Sequence, residues 1–451
     1  MRSHRGICVG ACLLLAAAGC GTKTKPLSGG GTYSPIITTI SSNFEPAARG
    51  TANVLTVQVT NVNGYPLKYH WMVQAGTLGA DSTNASVTWT PPDSIATYDV
   101  TASIQTTGDA PPFFRTMTVH MAVDNEYIRW THTDQVEFDP APTANGGVVY
   151  AEYHNVSTGN SDAYRVDTPL GAPAQLTTGF FSVTSPTPRA DQGAIAFMGK
   201  VNSSVRASIY QLPYGGGDAS TAQVVERTST YQTTLDSPRF PFEGDRLLFA
   251  SDSIGTDGFN VQSGMTLRWH DSANLYTVAP VSVVEHNFMF NTLGTNLANP
   301  SWGPDLNSDG NPDSVMALGI RFPGTASEIV DGIYLFATPN TGDATDYKIW
   351  LPGVNLHEFD WSPDGNYVVF TQRNAGTNDR DIWIIRRGAA SLSEARRVTS
   401  GPADDSQPRW SADGTKIFFI SNRADRYGVT GVLLLERRGY NIWSVSHFDR
   451  P

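Results

Sequence analysis

One five-residue pattern recurs six times between residues 126 and 451: a small polar residue or Gly, then an apolar residue, an aromatic, any residue and another apolar. The copies are DAYRV at Asp162, SIYQL at Ser208, NLYTV at Asn274, GIYLF at Gly332, DIWII at Asp381 and NIWSV at Asn441. A β-rich run precedes each copy (GVVYAEY, AIAFMG, RLLFASD, SVMALGI, YVVFTQR, KIFFISN), and before several of these lies a segment with Pro, an aromatic and a Gly-terminated turn, as in FDWSPDG and PRWSADG. A further β run follows every copy but the last. Units of roughly 54 residues that cannot bury both faces of their own sheet must stack on one another. The strand missing from the sixth unit has a counterpart in EYIRWTH, residues 126–132. A ring closes, and sheet edges disappear, when one end of the chain supplies the strand the other lacks. Residues 126–451 are therefore expected to form a six-bladed β-propeller closed from its N-terminal side.

Composition agrees. The 451 residues include 42 Gly and 28 Pro, only 16% are charged, and 40% are hydrophobic. Such a chain is punctuated by turns between short strands, and its length allows two or three domains. The formal net charge of −11 argues against nucleic acid, whose phosphates need clustered Lys and Arg.

The N-terminus reads as a targeting segment. Arg2, His4 and Arg5 precede an apolar run from Ile7 to Ala18 that is too short to span a bilayer as a lasting helix, so residues 1–20 are expected to be a signal peptide. The run ends in LAAAGC at Cys20, which resembles the bacterial lipobox and implies acylation of the Cys20 thiol. Ala17 stands where that pattern usually has Leu, and a non-lipidated secretory signal is the other reading. Cys8 and Cys12 leave with the signal, so the mature chain is expected to hold no free thiol, no disulfide and no Cys-ligated metal. Because Gly21 rather than Asp follows Cys20, the resemblance implies the outer membrane of a two-membrane bacterium. Residues 21–35 read as a flexible tether.

From residue 36 to 125 the chain alternates apolar and polar residues in short runs separated by NVNGYP, AGTLGADS, PPDS and GDAPP. This predicts an antiparallel sandwich of about seven strands. The segment resembles bacterial Ig-like or PKD-like domains. Trp71 fits the buried tryptophan of that fold, and Tyr98 fits the tyrosine corner, whose hydroxyl bonds upstream backbone. Val100 stands where a cysteine would be in antibody domains, and Val57 is its expected partner, so packing closes this core. Ligand stacking is the alternative use of Trp71 and Tyr98.

The recurring phrase WSPDG, strand, DIW and RVTS strand resembles the TolB-type six-bladed propeller family, with its WD40-like repeats. Blades five (Trp361 to Gly365) and six (Trp410 to Gly414) match best. In these motifs Pro, Asp and Gly serve the tight turn, with Asp bonding backbone and Gly at positive φ. Trp302, Trp361 and Trp410 are expected to pack between blades, with a ligand role near the channel as the alternative. TolB itself carries a helical-and-sheet domain where this chain has the sandwich, so its role in the Tol-Pal system is not carried over.

In blade four the turn is enlarged to PDLNSDGNPD. Asp305, Asn307, Asp309 and Asp313 stand at positions 1, 3, 5 and 9 of an acidic loop, Gly310 at 6 and Asn311 at 7. This oxygen-rich spacing suits calcium and resembles the loops of FG-GAP propellers and EF-hands. Met316 occupies position 12, so the bidentate Glu is missing, and a plain Asn/Asp/Gly turn is the other reading.

The sequence holds no GxSxG, no HExxH and no Gly-rich phosphate loop, and its histidines, among them His154, His270, His286 and His357, are scattered. Three long stretches are expected on the face where blades connect: Ser251 to Asp271, Asn287 to Asn299 and Arg423 to Tyr440. Phe288, Phe290, Tyr427, Arg437 and Arg438 in or beside them are the candidate contacts. The apolar run Val432 to Leu435 fits either a docking surface or an added strand. The expected function is a non-catalytic, membrane-anchored binding scaffold for an envelope protein or glycan. The rivals are a propeller enzyme, a lyase or hydrolase with its site at the channel mouth, and a purely structural envelope protein.

Overall fold

The computed structural model describes residues 34–451 apart from 44–45, 81, 134, 227–234, 243, 245, 252–265, 272–284, 288–294, 306–313, 322–331, 338–346, 353–355, 357, 375–378, 401–402, 424–438 and 447. The described chain is all-β, with one 3-10 turn at Leu392–Glu394.

The first unit is a sandwich of two four-stranded sheets. One holds Ile36–Ser42, Asn53–Thr60, Ser86–Thr90 and Thr77–Leu78; the other holds Ala47–Ala48, Phe114–Asp124, Ala96–Thr106 and Leu67–Val73. Alternation along these strands sends Leu55, Val57, Trp71, Val87, Trp89, Val100 and Ile104 into one core, which closes without a disulfide. The Trp71 indole donates to the Asn84 carbonyl at 2.8 Å. The Tyr98 hydroxyl instead meets the Ser94 hydroxyl at 2.7 Å. Its partner is thus four residues upstream, as expected of a tyrosine corner, but is a side chain rather than backbone.

Six four-stranded antiparallel sheets follow in chain order. Their first strands are Val136–Pro142, Ser182–Pro188, Leu235–Arg239, Thr295–Trp302, Phe359–Trp361 and Asp405–Trp410. Each first strand packs against that of the next blade, and the sixth packs against the first, so the ring is closed. The closing strand is Glu126–Arg129, antiparallel to Asn441–Ser446, with Trp443 opposite Arg129 and Ser446 opposite Glu126. Blade three departs from the repeat reading. Its third strand is Thr266–Asp271, paired with Arg246–Ser251 and then with Glu285–Asn287. This strand precedes the NLYTV copy, which lies outside the described residues. Register sets His270 opposite Glu285 and His286 opposite Trp269.

The cores lie between blades. Val149 and Ala163 of the first blade meet Val183, Ile195 and Phe197 of the second. Trp410, Ile417 and Phe419 of the sixth meet Val369, Ile382 and Ile384 of the fifth. Trp302, Trp361 and Trp410 are all buried. The WSPDG turn forms as its residue types require. Asp364 accepts from the Ser362 hydroxyl at 2.5 Å and from the Asn366 N–H at 3.1 Å. Gly365 has φ 69°, and a Cβ there would stand 2.5 Å from Pro304 Cγ of the preceding blade, so glycine serves both the turn and the close approach.

Candidate functional site: the propeller channel

The first strand of nearly every blade contains a polar residue followed by proline: Asp139-Pro140, Ser185-Pro186, Ser237-Pro238, Asn299-Pro300 and Gln407-Pro408, with Glu358-Phe359 in the fifth. Pairing with the second strand slips at each of the five polar-Pro dipeptides, between Phe138 and Ala141, Thr184 and Thr187, Asp236 and Arg239, Ala298 and Ser301, and Ser406 and Arg409. Proline has no N–H for the ladder, so a bulge is where it is tolerated. Asp139, Ser185, Ser237, Glu358 and Gln407 all adopt φ between 49° and 57°. Left-handed backbone costs a residue with a Cβ about 1–2 kcal/mol, so something must hold these five.

Bonds between blades, in two tiers, engage four of them: Asp139, Ser185, Glu358 and Gln407. In the upper tier, a bulge residue donates its backbone N–H to the bulge side chain of the preceding blade. Gln407 donates to Glu358 Oε2 at 3.1 Å, Asp139 to Gln407 Oε1 at 2.6 Å, and Ser185 to Asp139 Oδ2 at 2.8 Å. The lower tier repeats the device further along the strand. The backbone N–H of Phe240 donates to Thr187 Oγ1 at 3.0 Å, that of Trp361 to Ser301 Oγ at 3.1 Å, and that of Trp410 to Asp360 Oδ2 at 2.9 Å. Bulge N–H groups that the ladder abandons are thus satisfied across the blade boundary. Asp360 is further engaged by Ser301 Oγ at 3.0 Å and the Arg239 guanidinium at 3.2 Å. Trp302 Nε1 donates to the Arg239 carbonyl at 3.1 Å.

These strands enclose a cavity of about 460 Å³, lined from all six blades. Its walls combine the bulge polar groups with proline rings, Phe138, Phe240, Trp302 and Trp410. Three arginines face it. Arg239 is paired with Asp360, and Arg189 is paired with Asp191 at 2.7 Å, whereas Arg409 has no carboxylate within 4.0 Å among the described residues. Its hydrogen bond runs to the neighbouring Pro408 carbonyl at 3.0 Å. The Tyr153 phenol at the wall is pushed above its ordinary pKa, first by burial and then by the charge of Asp139.

Of the residues singled out from sequence, Trp302 and Trp410 border this cavity. Trp361 turns its Nε1 to the Gly365 carbonyl at 3.1 Å. His154 Nε2 lies 2.8 Å from Asp162 Oδ2, on the second strand of the first blade. Asp305 is half-buried just past Gly303, whose N–H bonds the Ser314 carbonyl at 2.8 Å and so brings the ends of the acidic loop together. Cys20, Asn307, Asp309, Asn311, Asp313, Phe288, Phe290, Tyr427, Arg437 and Arg438 lie outside the described residues, as does His357. Sequence reading passed over the bulge residues. Their signal was the recurring polar-Pro dipeptide, which looks like ordinary turn composition until the repeats are aligned on it.

No family model matches the chain, and no curated protein matches it. Among solved structures it is similar to an oligogalacturonate lyase from Vibrio parahaemolyticus, at 10% identity over 92% of this chain and 98% of that one, with a TM-score of 0.42. It is also similar to TolB from Acinetobacter baumannii, at 13% identity over 91% and 80% with a TM-score of 0.28. The WD40 β-propeller domain of Doa1 matches at 13% identity over 70% and 96% with a TM-score of 0.38. The propeller assignment rests on the closed ring of six sheets itself.

Proposed function

We propose that the protein is a non-catalytic binding scaffold of the bacterial envelope, anchored through an acylated Cys20 to the outer membrane, and that its propeller holds a protein or glycan. The observation that carries the reading is the channel wall. Asp139, Glu358, Asp360 and Gln407 each accept a backbone N–H from the next blade, so the polar groups of the wall serve to fix its shape. A cavity shaped in advance binds at low conformational cost. Crosslinking the intact lipoprotein in its native envelope is expected to capture one reproducible partner, and to lose it in a Cys20→Ser variant that is not anchored. Repeated failure to capture any partner would count against the scaffold.

The acidic loop of blade four is proposed to hold a structural calcium through Asp305, Asn307, Asp309, Asn311 and Asp313, since oxygen ligands at that spacing suit the ion. Calorimetric titration with calcium is expected to show one site that is lost in Asp305→Ala and Asp309→Ala. An unchanged titration in both variants would leave only an Asn/Asp/Gly turn.

A further inference from the structure

We infer that Arg409 is a carboxylate receptor inside the propeller channel, and that its ligand is an acidic side chain flanked by apolar residues in an extended peptide segment. The inference rests on the scaffold reading and names the chemistry of its ligand.

Two residues past these polar positions, the six blades place Ala141, Thr187, Arg239, Ser301, Asp360 and Arg409, and all but Ser301 line the channel. Five of these positions are accounted for within the protein. Thr187 and Ser301 accept N–H groups from neighbouring blades, and Arg239 and Ser301 both engage Asp360. Asp360 spends its other oxygen on the Trp410 N–H, and Ala141 has nothing to offer. Arg409 therefore stands between a carboxylate already bonded by three donors and an alanine. A guanidinium carries five donors and stays charged at any relevant pH. Arg409 uses one toward the Pro408 carbonyl. A half-buried cation with no carboxylate within 4.0 Å among the described residues is favourable ground for an oxyanion, because charge-assisted bonds gain strength as water is excluded.

The rest of the wall decides between kinds of ligand. A sugar is held by many directed hydrogen bonds, and of the polar groups that could supply them here, Asp139, Ser185, Thr187, Glu358, Asp360 and Gln407 already bond across a blade boundary, which leaves chiefly the hydroxyls of Tyr153, Thr184 and Ser237. Around them stand Pro140, Pro186, Pro238, Phe240 and Trp302, surfaces that suit apolar side chains and proline-like backbone. One cation among such walls fits an acidic residue between apolar ones.

The test is calorimetric titration of the full chain with two capped pentapeptides, Ac-AFEFA-amide and Ac-AFQFA-amide, and separately with inorganic phosphate. The Glu peptide is expected to bind at least about tenfold more tightly than the Gln peptide, the scale of one charge-assisted contact. Arg409→Ala should erase the difference, and Arg409→Lys should restore part of it, while both variants melt at the parent temperature. The proposal is overturned if the two peptides bind alike, if neither binds, if Arg409→Ala keeps the preference, or if phosphate binds as well as the Glu peptide. Peptide failure with a partner still captured by crosslinking would sink this inference alone. An Arg409-dependent peptide preference without a captured partner would sink the envelope scaffold alone.

Discussion

Glu137 sits fully buried where three parts of the ring meet. Its carboxylate accepts from the Thr133 hydroxyl at 2.9 Å, from the Ile442 N–H at 3.0 Å and from the Thr131 hydroxyl. Burial raises its pKa to about 7 from 4.5, with Glu152 adding to the rise, against the lowering effect of those three donors. Glu152 is itself raised, again by burial first. An acid whose pKa is higher folded than unfolded contributes stability that is fully present below about pH 4.5 and is lost as pH rises through about 7. The loss for Glu137 is on the order of 3 kcal/mol. Urea unfolding at intervals from pH 4.5 to 8 is expected to show falling stability, with a slope that flattens in Glu137→Gln. An equal slope in the variant would assign the effect elsewhere. Asp191, Asp404 and Asp413 have lowered pKa values, so what they contribute is lost only on the acid side. None of this was legible in the sequence, because a glutamate two residues into a strand shows neither its burial nor a partner some 300 residues away.

At the scale of the element, the closing strand matters most. Glu126–Arg129 supplies the fourth strand of the last blade. Trp130 follows it with its N–H on the Ile442 carbonyl at 2.8 Å and its Nε1 on Ser444 Oγ at 2.9 Å. Tyr127 lies under the Arg423 guanidinium, 4.0 Å from its ring centroid, and Arg423 is paired with buried Asp405 at 2.7 Å. A chain beginning at Thr133 would leave Asn441–Ser446 as an open edge, which invites pairing with other copies. Compared with a chain beginning at Asp124, it is expected to melt many degrees lower and to elute as larger species in size exclusion. Matching melting points and elution would show that closure is dispensable. The missing sixth strand made this closure readable from sequence. The third blade was less so, because TLRWHD and NLYTV both carry the alternation of a strand and only pairing chooses between them.

For the molecule as a whole, sandwich and propeller are joined without a spacer: Phe114–Asp124 ends one residue before Glu126–Arg129 begins. Asn125 between them gives its amide to the Val398 carbonyl at 2.7 Å, and Asp124 takes the Ser400 hydroxyl. Arg49 of the sandwich, 4% exposed, reaches Asp449 near the C-terminus at 3.1 Å and Asp93 at 3.6 Å. Both carboxylates are mostly exposed, so solvent screens the attraction. Arg49→Met keeps the buried stem and removes the charge. It is expected to cost about 1 kcal/mol, read in calorimetry as a lower melting point for the sandwich and less dependence on salt. An unmoved sandwich transition would mean that the arginine does not couple the two units.

The sequence by itself determined the kind of structure: alternation of period two set the strands, six copies of one pattern set the number of blades, and a strand count one short set the closure. Those are local or periodic signals, carried by residues close together in the chain. Tertiary structure alone decided where the polar groups of the bulges point. The same Asp, Ser, Gln or Glu before a proline or aromatic can cap a turn, face solvent or bond the next blade, and which it does depends on a neighbour 40 to 270 residues away. That placement spends most of the channel's charges on holding the ring and leaves Arg409 with one to spare.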